Sequence, residues 1–236
     1  MSASATTGVI ASAVAPAGGA WSPADLASLR GWWNFDEANV TKDGSDNISA
    51  VDDLGGDFGQ FGNATGATQP LWVEAGRNGL DIAHFGSQRF LDASSGPYAS
   101  FTLAMAFRYD ENASQNRVLL YSFQYGQLLY NTTTNELSWG NQFGSKVAAS
   151  YTSGTWVVVA ATFNSSGNVI ELRINGVSQG TLNPVSYVGP LTALTLGKQG
   201  TAYHGDLYVG ELIATDSVLS GDDLTNLETY LSDKWL

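Results

Sequence analysis

The sequence predicts an all-β fold: a two-sheet antiparallel sandwich with an extended N-terminal arm and a short helix near each end. Three observations carry this. Thr155 to Phe163 (TWVVVAATF) is a nearly continuous run of β-branched and aromatic residues, the pattern of a strand buried on both faces. The next segment alternates Ile170, Leu172 and Ile174 with Glu171 and Arg173 and ends in Asn175-Gly176, a pair that tolerates the positive φ angles of a type I′ hairpin turn. The apolar period then changes from two to helical spacing at Ser220.

Taken in chain order, residues 1–20 (MSASATTGVIASAVAPAGGA) are uncharged and rich in small residues, with no amphipathic stripe. They read as an assembly or anchor arm separate from the sandwich of residues 21–236. Thr6, Val9, Ile10, Val14 and Pro16 are the candidates to lie extended against a neighbouring subunit or to add a strand to an exposed sheet edge. Ser22-Pro23-Ala24-Asp25 then starts a short helix, with Ser22 as cap, Pro23 in the first position and Asp25 completing the capping pattern.

Asn164 to Asn168 is a turn cluster between the two central strands, and Leu191–Gly197 and Asp206–Thr215 supply two further strands. After Ser220, which is placed to accept from the backbone N–H of Asp223, a helix carries Asp222 and Asp223 at its positive end. It repeats Leu224, Leu227, Leu231 and Trp235 along one face. That stripe is expected to pack on the body of the domain.

The order WSPADLASLRGWW, an Asp/Gly loop, GTWVVVAATFN, the LRINGV turn and GDLYVGELIATDSVLSGDDLTNLETYLSDKW resembles the concanavalin A-like lectin/glucanase superfamily, in its laminin-G-like jelly-roll form. The resemblance spans residues 21 to 236 and implies two curved antiparallel sheets. Length and composition agree with a single domain of this kind: 236 residues, 43% hydrophobic, with 27 Gly suited to many short strands joined by tight turns.

Glucanases of the resembled superfamily carry paired glutamates on one strand in an E-x-D-x-E or E-x-D-x-x-E pattern, since retaining hydrolysis needs a nucleophile and an acid/base at fixed separation. No such pattern occurs here: neither Glu171 nor Glu211 has an acidic partner at that spacing, and Glu211 reads as a structural hydrogen-bonding residue near a sheet edge. His84 and His204 stand in unrelated contexts without a ligand spacing, and no G-x-S-x-G elbow is present. The expectation is a protein that is not an enzyme.

Binding is better supported. Asp43, Asp46, Asn47, Asp52 and Asp53 place oxygen ligands of the type calcium requires within two Asp/Gly loops, and members of the resembled superfamily often bind calcium at the rim. The spacing is not that of an EF-hand, and Asp-Gly clusters also serve as ordinary solvated turns. Trp72, Tyr125, Trp139 and Tyr203 are candidates to stack on sugar rings, although sequence does not separate an exposed Trp from a core one.

A net charge of −12 opposes nucleic acid and anionic membranes as partners. The chain has no Cys, no basic stretch before Arg30 and no apolar run of transmembrane length, which points to cytosolic synthesis. Organisation of this kind is similar to jelly-roll proteins of tailed bacteriophages: capsid decoration proteins, head fibres and tail accessories. The similarity implies a structural, homo-oligomeric virion component, its arm bound to other virion proteins and its lectin-like domain free to meet host-surface glycans. The alternatives are a free extracellular or cell-surface lectin, with or without calcium dependence, and a divergent glycoside hydrolase.

Overall fold

The computed structural model describes residues 20–86, 89–110, 117–122, 126–141, 146–183, 190–198 and 206–236. The strands run in chain order as β1 (Leu29–Asn34), β2 (Val40–Lys42), β3 (Ile48–Val51), β4 (Phe61–Gly62), β5 (Leu71–Arg77), β6 (Leu80–Phe85), β7 (Leu91–Tyr98), β8 (Phe101–Tyr109) and β9 (Arg117–Ser122). They continue as β10 (Gly126–Asn131), β11 (Glu136–Gly140), β12 (Lys146–Ser150), β13 (Trp156–Asn164), β14 (Val169–Ile174), β15 (Val177–Leu182), β16 (Leu191–Leu196) and β17 (Leu207–Thr215), followed by helix α1 (Gly221–Trp235).

Two antiparallel sheets result. The first has the order β15-β14-β13-β8-β17-β6-β5, with β1 pairing along β17; the second has the order β12-β11-β10-β9-β16-β7-β4-β3-β2. Chain neighbours often lie in different sheets, so every strand commits one face to the space between them, and that space holds the main core. Phe101, Phe107, Val159, Phe163 and Leu172 of the first sheet meet Leu91, Leu128, Tyr130, Trp139 and Leu194 of the second there.

The both-faces-buried reading of the Thr155–Phe163 segment has a specific cause. Val157, Val159, Ala161 and Phe163 enter the inter-sheet core, while Val158 and Ala160 face the opposite way into a second cluster beneath α1. The helix brings Leu224, Leu227, Leu231 and Trp235, all buried, onto that outer face. The sheet under the helix is built from small residues: Ala104 and Ala106 of β8 and Ala160 of β13. Gly210 of β17 is the extreme case, because a Cβ there would lie 2.6 Å from the Trp235 ring.

Asn175 and Gly176 take φ angles of 49° and 77°, as a type I′ turn between β14 and β15 demands. Residues Pro23–Asp25 form a single 3-10 turn in which the Ser22 N–H donates to Asp25 Oδ2 at 2.8 Å. The Ser220 hydroxyl, in contrast, makes no cap hydrogen bond, although its backbone is extended as a cap should be. Gly221 has a φ of 57°, a left-handed step that carries the first helical turn away from the Ser220 side chain. Asp222 and Asp223 still stand in the first turn, where the helix dipole favours negative charge. The proposed arm, with Thr6, Val9, Ile10, Val14 and Pro16, lies outside the described residues.

Candidate functional site

Glu211 lies on β17 and is 0% exposed. Its Oε1 accepts from Trp32 Nε1 at 2.5 Å and from the Tyr230 hydroxyl at 2.9 Å, and its Oε2 accepts from Trp235 Nε1 at 3.0 Å and pairs with Lys234 Nζ at 2.9 Å. The donors come from β1 and from the last turns of α1, so this one carboxylate pins both to the sheet. The structural role expected for Glu211 is therefore present, but its place differs from the expected sheet edge. β17 is interior, paired with β8 on one side and with β1 and β6 on the other. Burial, and then the adjacent Glu211 charge, push the Tyr230 hydroxyl well above the ordinary tyrosine range.

The other buried carboxylate among the described residues, Glu228 of α1, receives a two-pronged contact from Arg173 of β14, Nε to Oε1 at 2.7 Å and an outer guanidinium nitrogen to Oε2 at 3.1 Å. Glu171 meets the same guanidinium at 3.4 Å. These acids are spent on holding the helix against the sheet.

The two Asp/Gly loops are likewise organised from within. Asp43 Oδ1 accepts from the backbone N–H of Ser45 at 2.8 Å and of Asn47 at 3.0 Å, while Asn47 Nδ2 donates to Asp43 Oδ2 at 2.9 Å. These bonds, the Asn47 side chain foremost, hold the Asp43 carboxyl below its usual range. Asp46 pairs with Lys42 at 2.8 Å. Asp53 accepts backbone N–H groups of Trp32 and Gly55 on one oxygen and of Phe58 and Gly59 on the other, at 2.8 to 3.1 Å. Asp52 receives Gln60 Nε2. The five candidate ligands thus fall into separate turns, and among the described residues no group of three or more His, Asp or Glu side chains is arranged to hold a metal ion.

Of the aromatic candidates, Trp139 is 0% exposed in the inter-sheet core, with its indole N–H donating to the Thr162 carbonyl at 2.9 Å. It cannot meet a ligand, which corrects the sequence reading: an aromatic on the inward register of β11 fills the sandwich. Trp72 is half-buried; its N–H is held by the Phe35 carbonyl at 2.9 Å, and Lys42 Nζ lies 3.6 Å from the ring centroid, so one ring face is already taken by a cation. Tyr125, Tyr203 and His204 lie outside the described residues. His84 is bonded to Asp206 at 2.7 Å and stacked on Tyr208 with ring centroids 4.3 Å apart, a satisfied histidine at the outer face of the first sheet.

Sequence reading missed a depression of about 330 Å³ on the outer face of the second sheet. Phe58 and Gln60 border it from the loop before β4, Asp92 and Ser94 from β7, and Ala193 and Thr195 from β16. The register pairs Ala193 with Ser94 and Thr195 with Asp92, which brings these side chains onto one face. Thr195 Oγ1 donates to Asp92 Oδ1 at 2.6 Å. Alternation in LDAS and ALTL was the available signal, since it puts Asp92, Ser94, Ala193 and Thr195 opposite the core-facing Leu91, Leu194 and Leu196; a register shift between Leu191 and Ala193 sends Leu191 into the core as well.

No protein-family model matches the chain, and no curated protein matches it in sequence. Solved structures match it in fold. The ligand-binding domain of botulinum neurotoxin serotype D, in complex with N-acetylneuraminic acid, superposes with a TM-score of 0.59 at 11% identity, over 88% of this chain and 51% of that one. The receptor-binding domain of the botulinum neurotoxin C/D mosaic gives 0.61 at 11%, over 88% and 51%. Trypanosoma rangeli sialidase gives 0.59 at 16%, over 89% of this chain and 33% of the enzyme. The chain spans about half the length of the toxin domains it matches, and the likeness is one of fold: a two-sheet β-sandwich.

Proposed function

We propose that this chain is a non-enzymatic, lectin-like recognition domain displayed on the virion of a tailed bacteriophage, as a capsid decoration, head fibre or tail accessory. In this reading residues 1–20 anchor it to other virion proteins and the sandwich faces host-surface glycans. The observation that carries the non-catalytic part is the use of the buried carboxylates: Glu211 and Glu228 are both engaged by indole, phenol, ammonium or guanidinium donors. An acid or base committed in this way is not free to move protons to a substrate. The solved neighbours support the recognition part, being described as ligand- or receptor-binding domains, one of them with a sialic acid bound. The acidic surface supports display, since a net charge of −12 keeps particles apart.

Quantitative mass spectrometry of purified virus particles from the source that encodes this chain tests the setting. A high copy number per particle identifies a decoration protein, and a low one a fibre or tail part. Absence overturns the virion reading and leaves the second one, a free glycan-binding lectin, which the sialic acid in the botulinum neurotoxin D complex favours.

A further inference from the structure

We infer that the depression bordered by Phe58, Gln60, Asp92, Ser94, Ala193 and Thr195 is a saccharide subsite, and that it takes a neutral, hydroxyl-rich sugar rather than an acidic one. The inference rests on the lectin-like reading above and names the site and ligand class for it.

The chemistry of the lining decides the class. Thr195 fixes one oxygen of the Asp92 carboxylate at 2.6 Å, and among the described residues the other oxygen has no hydrogen-bond donor. An oriented carboxylate with a free oxygen accepts hydrogen bonds from hydroxyl groups, and bonds to an ionised acceptor are the stronger kind. The exposed Ser94 adds a hydroxyl able to donate or accept. Ala193 and the exposed edge of Phe58, a ring otherwise buried against Trp33 and Tyr98, give the depression an apolar margin against which C–H groups of a pyranose can rest. At about 330 Å³ the depression falls at the small end of ligand sites, suited to one or two sugar rings.

Charge argues against an anionic sugar. Asp92 would face its carboxylate, and the protein carries a net charge of −12. Lys198, a cation on which the Asp92 charge acts, is drawn over the Phe90 ring, 2.8 Å from its centroid. The residues that line the depression include no Lys or Arg to meet an acid.

Backbone amide shifts of the isotopically labelled full chain, followed by NMR during titration with glucose, galactose, mannose, lactose, maltose and N-acetylneuraminate, test this. The expected result is saturable shifts at residues 92–94 and 193–195 with at least one neutral sugar. Ser94→Trp, which fills the depression, should abolish them, and Asp92→Asn, isosteric and on an exposed side chain, should weaken affinity at least about tenfold. Neutral-sugar binding mapped elsewhere, or untouched by both substitutions, overturns this site while leaving the lectin-like reading in place. Preferential binding of N-acetylneuraminate here overturns the ligand class. No shifts with any sugar overturn this proposal, and a parallel glycan array without hits would overturn the glycan-recognition reading as well.

Discussion

Replacing Glu211 with Ala should be among the most damaging single changes in this protein, and the structure says by how much. The carboxylate is 0% exposed and satisfies two indole N–H groups and a phenol. Its removal orphans these donors in a low-dielectric site, where each unsatisfied group costs about 1–3 kcal/mol. Lys234, with a side chain 20% exposed, can turn to water and recover part of its loss. Because the contacts share one acceptor, their costs do not simply add, and the total falls near the ~3–5 kcal/mol typical of breaking a buried charged pair. Against a domain stability of about 5–15 kcal/mol this is a large fraction, and it lowers Tm by roughly 6–20 °C.

Urea unfolding followed by tryptophan fluorescence measures it, with Trp32 and Trp235 as reporters beside the mutated position. Glu211→Gln, which keeps an acceptor but turns a donor toward another donor, should cost less, about 2–3 kcal/mol. In the Glu211→Ala background, Trp235→Phe should cost less than in the wild type, because it removes an orphaned N–H. A loss under about 1 kcal/mol for the alanine variant, or strict additivity in that cycle, would refute the clasp.

Other outcomes follow from the same geometry. Gly210→Ala pushes a methyl to 2.6 Å from the Trp235 ring and should destabilise by about 1–3 kcal/mol, measured in the same unfolding assay. Trp139→Ala should lose about 3–5 kcal/mol through a core cavity, with sugar binding falling only in step with the folded fraction. The Tyr151 hydroxyl donates to the Thr155 carbonyl and accepts from the Tyr109 N–H, and burial raises it to about 12. A raised acid stabilises the fold fully below its unfolded value near 10 and loses that contribution as pH climbs toward 12, about 2–3 kcal/mol in all. Tyr151→Phe should remove this alkaline slope, read by urea unfolding between pH 9 and 12. Millimolar calcium should leave Tm unchanged, since Asp43 and Asp53 are filled by backbone donors. A rise of several degrees that Asp43→Asn abolishes would show a rim site.

Much of the fold was legible because its signals are local. The period-two pattern of β14, the Asn175-Gly176 turn and the Leu224-Leu227-Leu231-Trp235 stripe each need only neighbouring residues to be read. The Ser220 cap failed for a reason one residue away, a left-handed Gly221 that sequence alone does not announce. The proposed sugar subsite was harder because its parts are distant in the chain: residues 58–60, 92–94 and 193–195 meet only through the β4, β7 and β16 pairing. Glu211 stood in plain view as an acid inside the apolar run YVGELIAT, yet its partners Trp32 and Trp235 lie 179 and 24 residues away. Trp139 and Trp72 look alike in sequence, and only the inward register of β11 makes the first a core residue.

A glycan array read twice, once for retained protein and once by mass spectrometry for cleaved sugar, tests the central claim most directly. A non-catalytic recognition domain retains protein on particular glycans and leaves every one of them intact. Cleavage of any bound glycan by the purified chain would contradict the account, as would an array on which nothing is bound.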